Sequence, residues 1–203
     1  MTAPVVISTL ALLFTVASFW WLQAYRGRLS CFPVQTFSGY LDQHKAALRF
    51  PLCLYNSGAV PLVVTDLRLR LLPPVGADVR MHFRTFRRSI RTDEADWADF
   101  AHAYSVAGRS VDTRMVEFAM HETPAALLSG VPVEAVVEAQ VGHSPTWQEL
   151  GRFPVHVETM AHPQNYITYS NQQHVWPEGI VEEAAKAHRD LRVKWGLEGP
   201  VED

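Results

Sequence analysis

The sequence predicts a mainly β protein: an immunoglobulin-like β-sandwich preceded by one transmembrane helix and followed by a C-terminal amphipathic helix. Three patterns carry that prediction. The N-terminus is an uncharged apolar run, the middle alternates apolar and polar residues in short segments, and the last segment repeats its apolar residues at helical spacing. The 203 residues are 48% hydrophobic and 19% charged, which supports a folded core and excludes a disordered or collagen-like chain. A net charge of -3 argues against nucleic acid as a partner, since such binders present a basic domain. Two cysteines exclude a disulfide-dense scaffold and a four-cysteine zinc site. The chain divides into an anchor and its exit (1–28), the sandwich (29–158), a crossover loop (159–177), and a helix with its tail (178–203).

The anchor comes first. Pro4 to Leu22 reads PVVISTLALLFTVASFWWL, and nineteen helical residues span roughly 28 Å, the depth of a bilayer's hydrocarbon core. Ser8, Thr9, Thr15 and Ser18 can bond carbonyls one turn back. Trp20, Trp21 and Tyr25 then form an aromatic belt for the headgroup zone, and Arg26 and Arg28 follow it. A cleaved signal peptide would need a basic start and a small-residue cleavage site, and neither is present. The expectation is a single-pass membrane protein with the bilayer as its first partner. Arginines only on the C-terminal side favour a cytoplasmic main domain. No Gly-Xaa-Xaa-Xaa-Gly pattern marks a helix dimer.

Eight strands follow at about ten-residue spacing, near Val34–Leu41, Ala47–Tyr55, Leu62–Leu72, Val79–Phe86, Ala101–Val106, Ser110–Met120, Val131–Val141 and Trp147–Val157. Leu48, Phe50, Leu52 and Leu54 make one apolar face, and Val63, Leu67, Leu69 and Leu71 another, with a slip near Thr65 that suggests a bulge. Between these two strands lies Asn56-Ser57-Gly58-Ala59-Val60-Pro61, with Asn and Gly for positive φ in a turn and Pro where the next strand starts. A strand ending in Tyr55-Asn56-Ser57-Gly58, a Pro-containing link and a Val/Leu-rich strand resemble a junction found in bacterial immunoglobulin-like accessory domains. The resemblance spans Leu48 to Leu72 and implies a sandwich, with no catalytic residues to carry over.

After a polar stretch holding Tyr166, Tyr169 and Trp176, the segment opened by Trp176-Pro177-Glu178 places Ile180, Ala184, Ala187, Leu191 and Trp195 on one helical stripe. Glu178, Glu182 and Glu183 lie at its start and Lys186, Arg189, Arg192 and Lys194 toward its end, which suits the helix dipole, and Gly196 terminates it. The stripe is expected to pack on the sandwich, with a partner groove as its second use. The last residues, Glu198 to Asp203, are expected to fray.

No motif carries chemistry. His121-Glu122 begins a zinc-helix pattern that Thr123-Pro124 breaks, and the nine histidines are scattered. His156, Glu158 and His162 could share a surface metal site, with solvated or hydrogen-bonded histidines the plainer reading. Ser110 and Ser144 have the first glycine of a nucleophile elbow, Gly108 and Gly142, but lack the second, and no phosphate loop or dinucleotide fingerprint exists. The expectations are therefore no enzyme, no cofactor and no metal. Cys31 and Cys53 could form a disulfide outside the cytoplasm and stay thiols within it.

The charge pattern says more. Arg68, Arg70, Arg80, Arg84, Arg87, Arg88 and Arg91 cluster, and Asp93, Glu94, Asp96 and Asp99 follow. The two blocks either pair internally or leave arginines free for anionic headgroups or an acidic partner. The function expected is a membrane-anchored, non-catalytic interaction or assembly subunit, engaging a protein partner or its own copies. Arg84, Arg87, Arg88 and Arg91 are the first docking residues, and Ile180, Leu191 and Trp195 the second. The alternative is a ligand-binding or sensory domain using the aromatic loop from Tyr166 to Trp176.

Overall fold

The computed structural model describes residues 3–90 and 96–197. Helix α1 (Ala3–Phe19) runs on through a π-turn (Trp20–Ala24), giving 22 residues long and apolar enough to cross a membrane. They measure about 33 Å at 1.5 Å per residue, and none is buried in the rest of the chain. The Ser8, Thr9 and Thr15 hydroxyls donate to the carbonyls of Pro4, Val5 and Ala11 at 2.8–2.9 Å, which hides their polarity.

The body is mainly β. Eleven strands form one antiparallel sheet: β1 (Leu29–Cys31), β2 (Thr36–Asp42), β3 (Lys45–Asn56), β4 (Leu62–Leu72), β5 (Val79–Arg87), β6 (Trp97–Phe100), β7 (Tyr104–Val106), β8 (Val111–His121), β9 (Val133–Val141), β10 (Trp147–Val155) and β11 (Ile167–Ser170). The main path runs β10-β9-β4-β5-β8-β3-β2-β11, with β1 on β3, β6 on β5 and β7 on β4. The path curls over itself. Four strands separate β10 from β3, yet Phe153 of β10 meets Phe50 of β3 edge-on at 5.6 Å. Gly151 of β10 lies so close to β1 that a Cβ there would meet the Cys31 carbonyl oxygen at 2.5 Å. The core fills this curl with Leu48, Phe50, Leu52 and Leu54 of β3, Leu67, Leu69 and Leu71 of β4, and Phe118 of β8, all buried.

Three short strands were absent from the sequence reading. β1 and β6 lie outside the eight expected strands, and β11 falls inside the expected crossover loop, where it pairs with β2 from Ile167↔Gly39 to Ser170↔Thr36. The slip near Thr65 is a register shift between Val64 and Asp66. Its extra residue reverses the alternation, so Val64 enters the core and Val63 is exposed.

The Asn56 turn is built from side-chain bonds. Asn56 is buried; its amide donates to the carbonyls of Val60 and Val106, and its oxygen accepts from the Gly58 N–H at 2.9 Å. Gly58 does not adopt positive φ, contrary to expectation. It is small because it touches Gly27: a Cβ on either would lie 1.9–2.0 Å from the other's backbone nitrogen.

Helix α2 (Ile180–Lys194) starts after Gly179 at φ 76° and ends before Gly196 at φ 69°. Glu182 and Glu183 occupy its first turn and Arg192 and Lys194 its last, as the dipole favours. Ala184, His188 and Leu191 are buried against the body, where an Arg192 guanidinium N–H donates to the Leu128 carbonyl at 2.6 Å. The residues from Glu198 onward, expected to fray, lie outside the described residues.

Candidate docking face

One face of the sheet packs the core, and the other gathers the charges. Register sets which residues share the outer face. Arg49 on β3 stands opposite Glu117 on β8, Lys45 opposite His121, His82 on β5 opposite Ala119, and Arg68 and Arg70 on β4 opposite His82 and Arg80. A shift between Phe83 and Thr85 inserts Arg84 as a bulged residue, so Thr85 and Arg87 rejoin the outer face beyond it.

Over much of this face the charges cancel internally. Arg49 is 1% exposed; its Nε donates to Glu117 Oε2 at 2.7 Å and its Nη1 to Asp96 Oδ2 at 2.5 Å. Arg87 completes the set with Nη2 donating to Glu117 Oε1 at 3.1 Å. The Ser89 N–H donates to Asp96 Oδ1, so the carboxylate also ties down the chain after β5. Tyr166 lies over the Arg49 guanidinium at 4.4 Å and stacks on Tyr40 at 4.9 Å. Burial pushes the Tyr166 phenol up, and Glu117 adds to that. On β4, Arg68 and Arg70 pair with Glu138 at 2.5 and 3.3 Å, Arg70 also reaches Asp78, and Arg68 lies 4.1 Å over Trp147.

One patch beside these pairs does not cancel. Arg80, Arg84 and Lys45 are exposed and have no ion-pair partner among the described residues. With His44, His82 and His121 they line an open cleft of about 480 Å³ floored by Ala119 and Met120. The cleft exists because ladders end at different places. β3–β8 pairing continues to Lys45↔His121 and β4–β5 pairing to Leu71↔Val79, but β5–β8 pairing stops at His82↔Ala119.

The expected docking residues therefore separate. Arg84 is exposed and lines the cleft. Arg88 is exposed, with its N–H donating to the Asp96 carbonyl at 2.8 Å. Arg87 is engaged by Glu117 and cannot serve a partner without leaving that carboxylate behind. Arg91 lies outside the described residues. Leu191 is buried in the core, Trp195 packs against it and Ile180 is half-buried, so the α2 stripe is used within the chain. Sequence reasoning missed Lys45, His44 and His121, which reach the cleft only through β3–β8 register.

The expected membrane-interface residues stand together. Trp20 and Trp21 are exposed, Tyr25 packs on both rings at 5.4 and 5.0 Å, and Arg26 and Arg28 are exposed beside them. The junction is bonded to the body: Ala59 N–H donates to the Tyr25 carbonyl, and Arg28 N–H to Ser57 Oγ at 2.9 Å. Arg109, held at φ 52° in the turn before β8, donates to the Trp21 carbonyl and lies over its ring. Arg109, which nothing in the sequence singles out, is the third cation at the exit.

The remaining candidates are structural. His156 is bonded to Glu158 through Nδ1 at 2.7 Å and faces Trp176, while His162 pairs with Glu183 instead. The three do not converge, and no metal-holding group occurs among the described residues. Cys31 stands opposite Leu54, so Cys53 is offset by one residue and its side chain leaves the other face of the sheet; both are free thiols. Burial pushes the Cys31 thiol up to about 12. The loop aromatics are engaged too: Tyr169 is buried on Phe37, and Trp176 Nε1 donates to the Ser170 carbonyl.

No protein-family model matches the chain, and no curated protein matches it. Among solved structures, it is similar to a protein from Archaeoglobus fulgidus at 10% identity and TM-score 0.37, over 70% of this chain and 98% of that one. A family 123 glycoside hydrolase from Clostridium perfringens, described for glycolipid glycan hydrolysis, aligns at 6% identity and TM-score 0.29. That match covers 57% of this chain and 21% of the hydrolase.

Proposed function

We propose that the protein is a single-pass membrane-anchored, non-catalytic interaction or assembly subunit, its immunoglobulin-like body facing the cytoplasm. One observation carries the reading: on a face where Arg49, Arg68, Arg70 and Arg87 are matched by carboxylates, Arg80, Arg84 and Lys45 are exposed around one cleft and unmatched among the described residues. Unmatched cations held in fixed register are a surface for an anionic partner, and exposed arginines contribute more to recognition than to stability. The arginines at the exit support the cytoplasmic orientation. The ligand-binding alternative draws less support, because Tyr166, Tyr169 and Trp176 are already committed to internal contacts.

The test is native electrophoresis of membranes solubilised in mild detergent. The expected result is a complex larger than the single chain that is lost in Arg84→Glu/Arg88→Glu. A chain that migrates alone in every detergent refutes the reading.

A further inference from the structure

We infer that the cleft between β5 and β8 receives an extended acidic segment of a partner protein, and not lipid headgroups. The inference rests on the interaction reading above and names the chemistry of its partner. Three features of the cleft point the same way. First, its charge has no ion-pair match among the described residues: Lys45, Arg80 and Arg84 are exposed around it, and His44, His82 and His121 add ring nitrogens. Second, it is opened by strands that part beyond His82↔Ala119, so both walls are strand edges beyond the end of their common ladder. A peptide in extended conformation can lie along such edges, and its alternate side chains fall on one side at a two-residue repeat. Arg80 and His82 follow that same repeat on β5. Third, among the described residues no aromatic ring other than imidazole lines the cleft, so the cleft itself offers no platform for stacked bases; Trp97 and Phe100 line an adjoining hollow that shares Lys45 and Arg84.

Position rules against the bilayer. β3 runs from Lys45 in the cleft to Asn56, next to Ser57, which is bonded to Arg28 at the helix exit. β8 makes the same journey, from Val111 beside Arg109 to His121. β3 spans about 36 Å and β8 about 33 Å at roughly 3.3 Å per residue, against a screening length of about 8 Å at physiological ionic strength. Headgroups at the exit meet Arg26, Arg28 and Arg109, and the cleft lies at the opposite end of the sheet.

The experiment titrates the full chain, in nanodiscs of uncharged phosphatidylcholine, with a fluorescent peptide of alternating Glu and Thr. Binding should weaken about tenfold or more in Lys45→Glu/Arg80→Glu, weaken with added salt, and stay unchanged in Arg26→Glu/Arg28→Glu. Lys45→Gln/Arg80→Gln should lose affinity as well, and an unaltered thermal midpoint shows that these exposed changes leave the fold intact. Peptide affinity indifferent to the cleft variants overturns the inference. So does cleft-dependent binding of phosphatidylserine vesicles, or an oligonucleotide that outcompetes the peptide. The native-gel complex separates the two levels. A complex that persists in Lys45→Glu/Arg80→Glu overturns the cleft assignment and leaves the interaction reading standing. A chain alone on the gel overturns the interaction reading, while the titration still decides the cleft.

Discussion

Replacing Arg49 with Met removes the centre of the most deeply buried charge network while keeping the length of its aliphatic stem. Arg49 makes two charge-assisted bonds, to Glu117 and Asp96, and supports the Tyr166 ring. After the substitution, Glu117 retains Arg87 at 3.1 Å, but Asp96 is left with backbone N–H of Ser89 and an Arg87 nitrogen 4.0 Å away. Both carboxylates are at most 3% exposed. Breaking a buried pair from one side costs about 3–5 kcal/mol, because the uncompensated charge stays desolvated. For a chain of this size each kcal/mol moves the thermal midpoint by about 2–4 °C, so a drop of roughly 6–20 °C is expected. The assay is urea and thermal unfolding of the full chain in detergent, followed by circular dichroism of the β signal. The double variant Arg49→Met/Asp96→Asn should recover much of the loss, since Glu117 keeps Arg87 and the carboxylate left without its cation is gone. A loss below about 1 kcal/mol for Arg49→Met would refute the reasoning, because that is the range of a solvated surface pair.

Other perturbations test other parts. Burial, with Arg192 adding to it, holds the His188 imidazole down to about 4; the unfolded chain therefore takes up that proton first, and stability should fall by up to about 3 kcal/mol as pH drops from about 6.5 toward 4. His188→Leu should flatten that slope in pH-dependent unfolding. A Cys53→Ser chain, whose remaining Cys31 thiol is pushed up to about 12, should react with maleimide at pH 7.5 about a hundredfold or more slower when folded than when unfolded. Gly27→Val should separate the exit from the Asn56 turn, because a Cβ there would meet the Gly58 nitrogen at 1.9 Å; limited proteolysis should then cut near residues 25–28.

The parts of the fold legible in the sequence are those whose signal is local. Leu48, Phe50, Leu52 and Leu54 alternate strictly with other residues in the sequence and all four are buried, and the ends of α2 carry their own charges and glycines. β1, β6 and β11 have only three or four residues each, too few for a period, and exist because a longer strand offers an edge. β6 is read in sequence as acidic, since Trp97-Ala98-Asp99-Phe100 continues the block holding Asp96. The charged face is half legible for a similar reason. A run of arginines is visible on one strand, but which are free depends on partners far along the chain: Glu117 takes Arg49 and Arg87, and Glu138 takes Arg68 and Arg70. Local charge identified the surface, and register decided its use.

The junction between helix and body bears on what kind of anchoring this is. A tether that lets a domain search for partners needs a solvated linker of some length. Here four residues, Tyr25 to Arg28, separate the π-turn from β1, and the backbone of Tyr25 and Arg28 is bonded to the Asn56 turn. Gly27 and Gly58 sit in contact, and Arg109 clasps the Trp21 carbonyl from the turn before β8. β3 and β8, the strands these contacts hold, also carry Lys45 and His121 into the cleft. A load on the cleft thus passes along two fully paired strands into the end of the apolar helix. Under the proposed interaction reading, such a path fixes the angle between a bound partner and the helix, which suits a subunit that orients its partner within an assembly better than one that only recruits it.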